Sequence, residues 1–235
     1  MTQPSTNGGT PASSGRTPAQ GNRLDPWYDV YADRAHNLRA SEIRALFSVV
    51  SRPEVVSLAG GMPNLKDLPL DKLAASAEKL IRNHGAQAMQ YGSGQGWEVL
   101  RERITEVMAY DGIVGADPDD VVVTTGSQQA LDLVTELFVN PGDVILAEAP
   151  SYVGALGVFR ARQADIVHVP MDENGIIPEA LVETIRDVRA SGRTIKFIYI
   201  IPNYHNPAGV TLSAERRPII AEICLREHVL IVEDN

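Results

Sequence analysis

From residue 121 onward, short apolar runs alternate with stretches of helical periodicity, and this alternation constrains the fold more than any other feature of the chain. Residues 121–125, 144–147, 166–169, 197–201 and 229–233 read as strands. Residues 127–139, 153–162, 178–190 and 213–227 read as the helices between them, with turn signals at 140–143 and 172–175. The strands are near-continuously apolar rather than alternating, so both of their faces must be covered. That pattern belongs to an α/β fold, a mostly parallel sheet with helices on both faces. In such sheets ligands bind beyond the carboxyl ends of the strands.

Ahead of this region the chain divides in two. Residues 1–22 are Ser, Thr, Pro, Gly, Gln and Asn with almost nothing to bury, so the expectation is a disordered tail. Residues 23–120 form an N-terminal helical segment, and 121–235 the first part of a ligand-binding domain. Ile43, Leu46, Phe47 and Val50 fall on one face of a helix that Ser41 would cap. Residues 55–58 are extended, and a turn follows through Gly60, Gly61 and Asn64. One further helix carries Leu70, Leu73, Leu80 and Ile81; another carries Leu100, Ile104, Val107 and Met108.

Composition removes several function classes. With 44% hydrophobic residues among 235, the chain buries a sizeable core. A net charge of −9 without a Lys/Arg cluster gives no electrostatic basis for nucleic-acid binding. The single cysteine, Cys224, excludes an intramolecular disulfide and reads as a small buried apolar side chain in a helix. No run reaches the length of a membrane span and no signal-peptide core opens the chain, so a cytoplasmic protein is expected.

Four segments carry candidate chemistry. At Gly126-Ser127-Gln128 a strand enters a glycine and a helix begins, and its unpaired first-turn N–H groups suit an anion such as a phosphate. Junctions of this kind that bind nothing are common. Asp234 ends an apolar strand and would pair with a cationic group such as a protonated pyridine nitrogen, or cap the next helix. Asn206, in Asn-Pro-Ala-Gly after a strand, either donates its amide to a phenolate oxygen or makes a tight turn. Tyr152, beyond Ala149-Pro150-Ser151, stacks on a flat ring or packs as core.

Taken in order, these motifs resemble the class I/II, fold-type-I aminotransferases that use pyridoxal 5′-phosphate, and within them the 2-aminoadipate/kynurenine aminotransferase group. The shared residues are Ser57 to Asn64, Gln90-Tyr91-Gly92 with Gly96 and Leu100-Arg101, Thr124 to Leu131, Glu148 to Tyr152, Asn206 to Gly209, and Val232-Glu233-Asp234. They run from about residue 37 to the end. The resemblance implies the large domain of a pyridoxal-phosphate transferase. It implies that Ser127 and Gln128 bind the cofactor phosphate, Tyr152 stacks on the ring, Asn206 donates to its O3′ and Asp234 pairs with its nitrogen. Tyr91 would reach the phosphate of the neighbouring subunit, since the family shares its active sites across a homodimer. Gly61 would lie against the substrate α-carboxylate. Arg44 would meet the substrate side chain or remain a solvated helix-face residue, and His205 would touch substrate in a minority of arrangements. The partners implied are an amino acid and a 2-oxo acid.

One element of the family pattern has no counterpart here. The lysine that holds the cofactor covalently stands in a Ser-x-Ser-Lys type of context, and none of Lys66, Lys72, Lys79 and Lys196 does. The expectation is an N-terminal portion of a longer enzyme, incomplete at its C-terminus, with no catalytic lysine of its own and one sheet face and edge uncovered. A lyase or synthase of the same fold, or a non-catalytic aminotransferase-like regulatory domain, are the alternatives.

Overall fold

The computed structural model describes residues 25–36, 54–56, 65 and 67–235. The expected tail over 1–22, the helix with Ser41 and Arg44, and the turn with Gly61 lie outside the described residues, apart from 54–56 of the extended run. The chain divides into two compact units, Met1–Leu38 and Arg39–Asn235. In the first, a 3-10 turn at Tyr28–Val30 precedes a four-residue helix, α1 (Asp33–His36). The Tyr28 ring packs 4.7 Å from that of His36, and the Tyr31 hydroxyl donates to Asp25 at 2.8 Å.

The second unit is built on a five-stranded sheet in the order β3-β2-β1-β4-β5. The strands are β1 (Val144–Ala149), β2 (Asp165–Asp172), β3 (Gly175–Ile176), β4 (Ile195–Ile200) and β5 (Leu230–Glu233). β2, β1, β4 and β5 pair in parallel, and only β3 is antiparallel. Helices α4 (Ser127–Phe138), α5 (Val153–Ala161), α6 (Pro178–Ala190) and α7 (Arg216–Arg226) connect and cover them. The core is accordingly double. Val144, Leu146, Ile198 and Ile200 face Leu181 and Ile185 of α6 and Ile220 and Ile223 of α7. On the other face, Ile145, Ala147, Phe197 and Tyr199 meet Leu131 of α4 and Leu156 and Phe159 of α5. Residues next to each other in one strand thus enter different cores, as the period of two requires. Cys224 belongs to the first core, and burial pushes its thiol up to about 11, as an inert packing residue requires.

Two readings of the sequence need correction. Residues 121–124 do not form a strand: they run extended, Val123 N–H donates to Gln95 O at 2.8 Å, and no neighbouring strand among the described residues takes the segment up. An apolar run supplies strand propensity, but a ladder needs a partner edge. The turn at 172–175 leads not directly into a helix but into β3, which folds back on Met171 and Asp172. Arg216 secures that hairpin with two bonds to Asp172, at 2.6 and 2.7 Å, and one to Gly175 O.

The two expected helices upstream form as α2 (Leu70–Ala88) and α3 (Glu98–Tyr110). Buried Arg101 ties α3 to the 118–120 turn through Pro118 O and Asp119. The apolar stripe of α2 forms as the periodicity predicts, but Leu73 and Ile81 on it are more than half exposed. β5 is an edge strand among the described residues, with Leu230 and Ile231 open to solvent.

Candidate active site

The start of α4 meets the segment after β1 through Gln128 and Tyr152, and Asp234, just beyond β5, meets Tyr199 of β4. Gly126 caps α4 with φ of +85°, a left-handed conformation that glycine adopts without a Cβ penalty. Thr125 donates its N–H and its hydroxyl to Gln129 Oε1, at 2.6 and 2.8 Å, so the side chain of Gln129 binds the incoming loop rather than a ligand. Ser127 and Gln128 remain exposed at the positive end of a 12-residue helix without an acid in its first turn.

Gln128 Nε2 lies 3.4 Å from the Tyr152 hydroxyl, linking α4 to the start of α5. The half-buried Tyr152 packs against the core cluster that contains Phe159 and Tyr199. Space for it exists because residue 154 is glycine. A Cβ there would stand 2.4 Å from Tyr152 Cζ and 2.5 Å from both its hydroxyl and Gln128 Nε2.

Asp234 continues the β4–β5 pairing by donating its N–H to Ile200 O at 2.9 Å. Its Oδ2 accepts the Tyr199 hydroxyl at 2.5 Å. Burial first, and the Asp234 carboxylate second, hold the Tyr199 phenol well above its ordinary range, so it stays a donor. Tyr199 pairs in register with Val232, and Asp234 stands two residues on, on the same face. Asn206 projects from the loop after β4 with its side chain exposed.

The remaining residues fall elsewhere. Tyr91 is fully exposed in the loop between α2 and α3, on a cavity of about 510 Å³ lined also by Leu80, His84, Trp97 and Arg101. That cavity touches none of Ser127, Gln128, Tyr152, Asn206 and Asp234. The chemistry of the donor set, not the size of a hollow, therefore marks the site. Gly61, Arg44 and Lys66 lie outside the described residues. Lys72 and Lys79 are exposed on α2, and Lys196 pairs with Asp143 at 3.3 Å at the amino end of β4, opposite to the site. His205 does not reach toward a substrate: its side chain is buried against Glu148, because the loop turns it inward. Tyr199, which binds Asp234, and Gly154, which lies against Tyr152 and Gln128, are residues that reading the sequence left without a role.

The chain is similar to known proteins over most of its length. The profile of the family described as "Aminotransferase class I and II" matches residues 53–235. The aromatic-amino-acid aminotransferase 1 of Thermococcus litoralis is 37% identical over 205 residues, 87% of this chain and 49% of that protein. The 2-aminoadipate transaminase of Thermus thermophilus is 34% identical over 209 residues, 89% and 50% respectively. The kynurenine aminotransferase of Pyrococcus horikoshii, crystallised in complex with PMP, superposes with a TM-score of 0.82 at 34% identity, covering 91% of this chain and 52% of that one. The chain spans about half the length of the curated relatives it matches.

Proposed function

The chain belongs to the class I and II aminotransferase family, and from that premise we propose that it forms the cofactor-cradling part of an enzyme that uses pyridoxal 5′-phosphate to move an amino group from an amino acid to a 2-oxo acid. The observation that carries the reading is the convergence of a helix N-terminus, an aromatic face and a tethered carboxylate at the carboxyl ends of one sheet, linked by the Gln128–Tyr152 and Tyr199–Asp234 contacts. The group fits these residues. The first-turn N–H groups of Ser127 and Gln128 suit a phosphate dianion. The gap at Gly154 lets Tyr152 stand as a wall for a flat ring. Asp234 keeps Oδ1 for a protonated ring nitrogen, while the Tyr199 hydroxyl holds Oδ2 and fixes the plane of the carboxylate. Asn206 supplies an amide donor for a phenolate oxygen. When bound, pyridoxal phosphate supplies the electron sink for the pair released as a substrate Cα–H bond breaks.

In the same reading Tyr91 acts on the phosphate of a neighbouring subunit in a homodimer, Gly61 backs the substrate carboxylate and Arg44 meets the substrate side chain. The protein works in the cytoplasm. Among the described residues, no helix is long and apolar enough to cross a membrane. The lysine that completes the chemistry is none of the four present in this sequence. Borohydride reduction of the 235-residue chain with pyridoxal phosphate should therefore label no single lysine stoichiometrically. The reading itself is tested on the polypeptide isolated from its own cells, by adding single amino acids and following the cofactor absorbance together with the 2-oxo acid released. Stoichiometric 2-oxo acid is expected. Release of ammonia or loss of the substrate side chain would assign a lyase instead, and no change with any amino acid would remove the catalytic reading.

A further inference from the structure

Glu148 and His205 are both ionisable and both about 1% exposed, with Glu148 Oε2 and His205 Nε2 3.2 Å apart. Two such groups in a core are unfavourable unless their polar atoms are used. Here they are used on one short segment. Glu148 Oε2, on β1, accepts the N–H of Ile201, the first residue beyond β4, at 2.8 Å. His205 then grips the loop at three points: its N–H donates to Val210 O at 2.8 Å, its carbonyl accepts from Gly209 N–H, and its ring Nδ1 accepts from Ala208 N–H at 3.3 Å. The last bond closes a turn around Asn206 and Pro207.

That bond also determines the tautomer. A ring nitrogen that accepts carries no proton, so in the neutral ring the proton sits on Nε2, facing Glu148. Burial favours the neutral ring, since it pulls the His205 pKa down. The Nε2 contact misses the alignment of a full hydrogen bond, so its partner is the nearby oxygen by proximity rather than by a directed bond. Glu148 thus faces both the root of the loop, at Ile201, and its middle, at His205. Tyr204, immediately before His205, takes a positive φ of 48° with an exposed side chain, a conformation that surrounding bonds must hold.

We propose that Glu148 and His205 form a buried clamp that fixes the 201–210 loop and thereby aims the Asn206 amide, which makes them positioning residues; the role of Asn206 rests on the cofactor reading above. Glu148→Gln keeps a carbonyl oxygen for Ile201 N–H and Nε2–H and preserves the clamp. Glu148→Leu orphans a buried N–H and removes the acceptor facing His205.

The test is hydrogen–deuterium exchange by mass spectrometry on the full polypeptide without cofactor, read in the peptide covering 202–211, with the α5 peptide as the reference for intact folding. Glu148→Leu should exchange about tenfold faster than wild type in that peptide alone, the effect of losing one buried hydrogen bond, and Glu148→Gln should stay near wild type. His205→Leu provides the second route, should Glu148→Leu fail to fold. It should also loosen the loop about tenfold through the lost Ala208 bond, and the two substitutions combined should loosen it by less than the product of their separate effects, because both remove the shared Glu148–His205 contact. Pyridoxal phosphate affinity, read by fluorescence quenching, should weaken in the same order. Wild-type exchange in Glu148→Leu or in His205→Leu overturns the clamp. A loosened loop with unchanged pyridoxal phosphate affinity overturns its link to Asn206. Wild-type protein that binds no pyridoxal phosphate while the exchange pattern holds removes the cofactor reading and leaves the clamp intact.

Discussion

Replacing Gly154 by alanine opposes two physical effects that are measured separately. Gly154 lies in the first turn of α5 with a helical backbone, so alanine there is conformationally welcome and adds up to about 1 kcal/mol through reduced chain entropy. The new methyl, however, would stand 2.4 Å from Tyr152 Cζ and 2.5 Å from Gln128 Nε2, where ordinary contact needs more than 3.4 Å. Both are outer parts of side chains, so the protein yields by swinging the tyrosine ring and the amide aside by about 1 Å, and the fold survives. The ring wall and a phosphate-side group are displaced together. Loss of one aromatic stacking contact is worth about 1–3 kcal/mol, so pyridoxal phosphate affinity should weaken about 5- to 150-fold while the unfolding free energy moves by less than about 1 kcal/mol. Gly157→Ala, three residues along the same helix, is the control, since its added carbon meets nothing within 4 Å. It should gain the helix propensity and keep the affinity. Fluorescence titration and urea unfolding on both variants decide the matter: equal affinities would refute the reasoning, because the collision would then have no bearing on the ligand.

Phe159, fully buried and edge-on to Phe197 at 5.7 Å and to Tyr199 at 5.4 Å, anchors the core beneath the site, and Phe159→Ala should lose about 3–5 kcal/mol in urea unfolding. Tyr199→Phe keeps that packing but removes the donor to Asp234, so affinity for pyridoxal phosphate should fall about tenfold, the worth of a hydrogen bond to a charged group; an unchanged value would show that Asp234 needs no support. Burial raises Glu148 from 4.5 to about 7, so the folded chain keeps a proton that the unfolded chain releases, and the stability this adds is complete below pH 4.5 and lost as pH rises through about 7. The unfolding free energy of His205→Leu relative to His205→Leu/Glu148→Gln, a pair in which the neighbouring imidazole is absent, should therefore fall by roughly 3 kcal/mol across that window; a pH-independent difference would contradict the burial argument.

What the sequence revealed and what it concealed follow from the range of the forces involved. The strands at 144–149, 195–200 and 230–233 were visible because sheets covered on both faces demand unbroken apolar runs, and α6 was visible because Leu181, Ile185 and Val188 recur at helical spacing. The run at 121–125 has the same composition, yet strand pairing depends on a neighbour that composition does not supply. Gln128, Tyr152 and Asp234 each stand out locally as candidates, but the Tyr199 that supports Asp234 looks like any aromatic strand residue. Only the register of β4 against β5 puts the two on one face. Gly154 left no local signal, since a glycine in a helix is tolerated anywhere. Glu148 did leave one, an acid inside the otherwise apolar strand Val144–Ala149. Its partner, in a loop beyond another strand, is a tertiary fact.

The surroundings of Glu148 and Asp234 also explain why, of these two acids, only Asp234 suits a cationic ring. Glu148 is enclosed, one oxygen holds Ile201 N–H and faces His205, and burial keeps its proton to near neutrality, so it offers a ligand neither charge nor access. Asp234 is half-buried just beyond β5 and takes a directed donor from Tyr199 on its Oδ2. Environment rather than residue type separates the roles. For a chain of net charge −9, that separation matters, because an anionic cofactor must be captured against the overall field. The helix end at Ser127 and Gln128 can attract it only if nearby acids are neutral or already engaged. Burial of Glu148 and the Tyr199 bond to Asp234 act in that direction, so exchanging their surroundings, not merely their side chains, would be needed to exchange their roles.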